Sequence, residues 1–125
     1  MNIQSTYVTF EQAKLLKEKG FDEVCQQWYS VEGGLYYQDE FDNNRGFIPV
    51  CECEAPTIAE VVMWLYEKHG IWISVEQNTY ENKFDYLITQ RKIDSWYVKS
   101  NDEQVFNSPT KAYEAAIEDT LNNLL

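Results

Sequence analysis

Apolar residues recur along this chain at two spacings, and the switch between them marks out its elements. From Thr57 the spacing is helical: Ile58, Val61, Val62, Leu65 and His69 fall on one side, and Gly70 follows as a stop. The period then becomes two. Ile71, Ile73 and Val75 share one side of a strand running to Gln77, and Phe84, Tyr86 and Ile88 do so in a second running to Gln90. Trp96 and Val98 are read on that same side of a third strand ending at Ser100, and Val105-Phe106 as a further extended stub. A final helix follows, with Ala112, Tyr113, Ala116, Ile117, Leu121 and Leu124 as its buried side.

The helix starts carry their own signals. Ala55-Pro56-Thr57-Ile58-Ala59-Glu60 contains a capping box, in which Thr57 and Glu60 each satisfy a backbone donor at the other's position. Asn107-Ser108-Pro109 places a capping serine before a proline at the first helical position, where a missing N–H costs nothing. Near the N-terminus, Thr9 and Gln12 form another capping box, with Val8 as a staple and Gly20 as the stop before Phe21. Leu16, with Ala13 and Leu15, supplies the apolar stripe of that helix, while Lys14, Lys17, Glu18 and Lys19 face water. A helix this short needs a packing partner to persist.

Residues 21–54 carry a weaker pattern. Val24, Cys25, Trp28 and Tyr29 fit one helical face. Cys25 to Ser30, then Val31-Glu32-Gly33-Gly34, then Leu35-Tyr36-Tyr37 reads better as a hairpin turning on glycine. Asp42-Asn43-Asn44-Arg45-Gly46 is a second turn signal. Phe47 to Cys53 is then extended, and Pro49 restricts it to an edge or an irregular segment. The predicted fold class is α+β. A three-strand antiparallel meander backed by two helices spans residues 55–125, preceded over 1–54 by a short helix and a hairpin. At 125 residues the chain suits one domain, 1–125, with one cooperative unfolding transition.

Composition narrows the class. Hydrophobic residues make up 44% and aromatics 15%, including nine tyrosines and four tryptophans, so aromatic strands are expected to build much of the core. No apolar run approaches the roughly 20 residues that span a bilayer. Met1 to Thr6 lacks the basic start and apolar run of a secretory signal, and three cysteines with no such signal point to free thiols in a reducing cytoplasm.

Charge decides a question that the element order raises. Helix, three strands, helix is the order of double-stranded-RNA-binding domains, and this chain resembles them in that respect. A duplex binder displaces counterions with clustered lysine and arginine. Here Lys+Arg is 10 against Asp+Glu 21, a net charge of -11. Where the resemblance would place the basic cluster, Lys111 stands alone among Asn107, Ser108, Glu114, Glu118 and Asp119. The expectation is therefore no nucleic-acid partner and no anionic membrane surface.

A second resemblance rests on Ala55-Pro56-Thr57 opening a helix, Trp64 within it, Lys68-His69-Gly70-Ile71 leading into aromatic strands, and the capped last helix. These features resemble small uncharacterised proteins encoded by phages and prophages of gut bacteria, over most of the chain from Val8 onward. The resemblance implies an origin and transfers no catalytic or binding residue.

Candidate chemistry is sparse. Cys51-Glu52-Cys53 places two thiols on one strand face, and with Cys25 and His69 they are the nearest approach to a metal set. Zinc knuckles pair ligands as C-x₂₋₄-C with a second pair downstream, a pattern this chain lacks, so no metal and no cofactor is expected. His69, the sole histidine, titrates where a general base must, yet at a helix end it also suits the negative end of the dipole. No nucleophile motif accompanies it. Asp39, Glu40, Asp42, Asn43 and Asn44 fail the calcium-loop spacing and read as a solvated turn. Trp28, Tyr29, Tyr36 and Tyr37 suit either core packing or stacking on a ligand.

The functional expectation is a small acidic cytoplasmic protein that binds another protein, or itself, without catalysis. The alternatives are an acidic inhibitor that imitates nucleic acid and an enzyme with an unrecognised acidic site. The candidate surface is the outward side of the C-terminal sheet, where alternation sends Trp72, Leu87 and Tyr97 together within a polar rim.

Overall fold

The computed structural model describes the backbone of residues 6–37, 50–78, 83–91, 96–100 and 106–125; within these, the side chains of Asn78, Trp96, Tyr97, Lys99 and Ser100 are not described. The acidic turn at 39–46, Pro49 and Val105 lie outside the described residues. The element order is α1 (Phe10–Glu18), β1 (Gln27–Ser30), β2 (Leu35–Tyr37), β3 (Cys51–Glu54), α2 (Ile58–His69), β4 (Ile71–Asn78), β5 (Lys83–Arg91), β6 (Trp96–Ser100) and α3 (Pro109–Asn123). This is an α+β architecture with two antiparallel sheets, ordered β2-β1-β3 and β4-β5-β6. The chain divides into two compact units at 56/57, against the 54/55 division drawn from sequence: Tyr7–Pro56, and Thr57–Leu125 together with Thr6.

In the Tyr7–Pro56 unit, the Thr9 hydroxyl accepts from the Gln12 N–H at 3.2 Å and starts α1, and Gly20 follows its end with φ 96. The buried stripe is Gln12, Ala13 and Leu16, with Leu15 half-buried. β1 and β2 form the expected hairpin, with Tyr29 opposite Leu35, and Gly33 takes φ 89 in its turn. A Cβ on Gly33 would come within 3.2 Å of the Phe10 ring, so both backbone angle and space call for glycine there. Trp28 and Tyr29 are core residues. Trp28 stacks on Tyr36 with ring centroids 5.2 Å apart, and the Tyr29 hydroxyl donates to the Val8 carbonyl at 2.6 Å.

β3 is an edge strand whose pairing with β1 shifts register: Tyr29 stands opposite Cys53 but Ser30 opposite Cys51, so Glu52 is the extra residue of a bulge. The Lys17 ammonium donates to the Glu52 carbonyl at 2.6 Å and satisfies an acceptor at this break in the ladder.

In the Thr57–Leu125 unit, both halves of the Thr57–Glu60 capping box form: Glu60 N–H donates to the Thr57 hydroxyl and Thr57 N–H to the Glu60 carboxylate. Gly70 closes α2 in the left-handed region at φ 65, and its N–H donates to the Tyr66 carbonyl. Ser108 caps α3, with Pro109 in its first turn. α2 packs on β4, and α3 packs on both β4 and β5. Their shared core is Ile58, Val61, Val62, Leu65, Ile71, Ile73, Tyr86, Ile88, Ala112, Ala116, Ile117 and Leu121. Trp64, 3% exposed, belongs to it although the sequence stripe omits it, whereas Tyr113 and Leu124 are half-buried. The Tyr86 hydroxyl donates to the Asp119 carboxylate at 2.9 Å, and Phe106 pairs with Phe84 as an isolated bridge.

Candidate protein-docking surface

The meander leaves one side of its sheet away from α2 and α3, and the register names its occupants. Trp72 stands opposite Thr89, and Thr89 opposite Val98; Ser74 stands opposite Leu87, and Glu76 opposite Asp85. Side chains of opposed residues share a face. Trp72 is 44% exposed, Leu87 37% and Val98 56%. The expected placement of Trp72 and Leu87 on one outward face therefore holds, but the third member changes. Tyr97 stands opposite Gln90, which pairs with the buried Ile71, and Val98 continues the Trp72–Thr89 row instead. The strand alternation assigned to Trp96 and Val98 is thus off by one residue, a slip that exchanges the two faces of a strand.

Two residues of α2 extend this surface. Met63 and Tyr66, 45% and 54% exposed, lie three apart on the side of α2 that does not enter the core. The Tyr66 ring meets Trp72 edge to face, with centroids 5.5 Å apart and an interplanar angle of 78°. Met63, Tyr66, Trp72 and Thr89 line an open groove of about 530 Å³. Sequence reasoning passed over Met63 and Tyr66. Their signal was available as two apolar residues at i and i+3 lying off the buried stripe of an otherwise amphipathic helix.

The remaining candidates are dispersed. Cys25 and Cys53 are buried, Cys51 is exposed, and all three are free thiols. The bulge at Glu52 breaks the two-residue alternation that would have set Cys51 and Cys53 side by side. Burial, reinforced by Glu52, pushes the Cys53 thiol up to about 11, and partial burial raises that of Cys51 as well. Burial likewise raises the Tyr29 phenol. His69, in the last turn of α2, meets the ring of Trp64 edge to face at 4.9 Å. Among the described residues, no group of three or more His, Cys, Asp or Glu is placed to hold a metal ion, and no helix is long and apolar enough to cross a membrane.

No family model, curated protein or solved structure matches this chain.

Proposed function

We propose that this chain is a non-catalytic protein-binding module that docks a partner on the outward face of its C-terminal sheet. The observation that carries the reading is the joined surface of Met63, Tyr66, Trp72, Thr89, Leu87 and Val98, contributed by α2 and all three strands. Tryptophan and tyrosine are favoured anchors at protein interfaces, and an aromatic pair held edge to face presents its area with little entropy left to lose. The groove is open along one side, which suits side chains projecting from a protein better than a small molecule that must be enclosed.

Catalysis has less support. His69 rests against Trp64, and the thiols of Cys51 and Cys53 are held toward their protonated forms. Net charge -11 favours solubility and disfavours nucleic acid. A cytoplasmic, phage-derived origin rests on the free-thiol composition and on the resemblance through Thr57, Trp64 and Lys68–Ile71.

The test compares proteins captured by the wild type and by Trp72→Asp, with far-UV circular dichroism to verify that both fold. A partner held by the wild type and lost by the folded variant supports the reading. Equal capture by both contradicts it.

A further inference from the structure

Beside the groove the sheet breaks a rule of cross-strand pairing. Glu76 on β4 and Asp85 on β5 stand directly opposite each other, on the same face as Trp72 and Thr89. Like charges so placed destabilise a sheet. Neither carboxylate makes a hydrogen bond or ion pair with another described residue. Two cations occupy the same side of β5 but are placed elsewhere. Lys83, two residues before Asp85, donates to the Asn107 side chain, and Arg91 lies at the other end of the strand, where its backbone N–H donates to the Gly70 carbonyl. On α2, Glu67 and Lys68 next to Tyr66 are both exposed.

A carboxylate pair with no ion-pair partner among the described residues and an exposed aromatic groove are each unfavourable in the free protein. Both are relieved by one kind of ligand. Resting on the docking reading above, we infer that the occupant of this face is a cationic segment of a protein partner, with an apolar anchor in the Trp72 groove and lysine or arginine over Glu76 and Asp85. Four residues along a strand separate Trp72 from Glu76, about 13 Å, so an extended segment presents its anchor and its cation about four residues apart. A second copy of the chain fits this face poorly. Each copy carries a net charge of -11, so a self-contact on this face would oppose two strongly acidic proteins.

The experiment uses three synthetic peptides with one common valine–leucine core and either two lysines, two glutamines or two glutamates placed four residues from its centre. Each is titrated into the isotope-labelled full chain, following the amide resonances of Trp72, Thr89 and Val98. The lysine peptide is expected to shift these resonances and to bind at least tenfold tighter than the glutamate peptide. Glu76→Gln combined with Asp85→Asn should bring the two within about threefold, while raising the thermal midpoint of the free protein. A merely structural acidic pair would not give that opposition of stability and binding. Equal binding of all three peptides at the Trp72 row would overturn the charge assignment and leave the docking face standing. A concentration-dependent dimer abolished by Trp72→Ser would overturn it in favour of a second copy. Absence of any shift at millimolar peptide would remove the cationic occupant and the docking face together.

Discussion

Cys53 is 3% exposed in β3, and burial holds its thiol pKa at about 11. An unburied thiol titrates at about 9. Between these values the unfolded chain has released a proton that the native chain keeps, so stability falls as pH rises through the window and is fully retained below it. Cys53→Ala should shallow the loss of stability measured by urea unfolding from pH 9 to 11, with the raised Cys51 thiol and Tyr29 phenol leaving a residual slope of the same sign. An unchanged slope would show that Cys53 is not protonated by burial. At pH 8 iodoacetamide should modify Cys51 well before Cys25 or Cys53, as peptide mass spectrometry would show, because Cys51 alone of the three is exposed. Comparable rates at all three would contradict the packing of β3. None of this difference was legible in the sequence. The spacing Cys51-Glu52-Cys53 predicts one shared face, and the bulge that separates the two arises from pairing with β1, a non-local event.

Helix ends are the elements most faithfully written in the sequence, since a cap is satisfied by residues within one turn of it. Thr57 and Glu60 illustrate this, and Thr57→Ala should cost about 1 kcal/mol in chemical denaturation. A change below about 0.3 kcal/mol would mean that the capping box contributes nothing. Gly70→Ala forces a side chain into the left-handed region at φ 65 and should destabilise by about 1 kcal/mol. β6 lies at the other extreme. Trp96, Tyr97 and Val98 are all apolar, so period two fits either face, and the choice falls to the register of pairing with β5. Local sequence does not encode that register, which is why Tyr97 was expected where Val98 stands. Trp64 and Tyr66 on α2 make the same point for a helix with aromatic residues on both sides. One is buried and the other exposed, and only the position of the sheet decides between them.

Across the whole molecule, Leu65 and Ile117 represent the core of the Thr57–Leu125 unit, each fully buried. Leu65→Ala should cost about 2–5 kcal/mol. Less than about 0.5 kcal/mol would contradict the packing of α2. The Tyr7–Pro56 unit is of a size at which an isolated core is marginal. A single calorimetric transition, with calorimetric and van't Hoff enthalpies equal, is therefore expected for the full chain. Two separated transitions would mean that each unit is stable alone. If Trp72 serves recognition and not folding, Trp72→Asp separates the two. Its urea midpoint and its retention of a wild-type partner are measured on the same preparation. The expected result is an unfolding free energy lowered by no more than about 2 kcal/mol, since Trp72 gives up its contact with Tyr66 and its strand propensity but no core packing, together with loss of the partner. Collapse of folding, or a partner retained at full affinity, would contradict it.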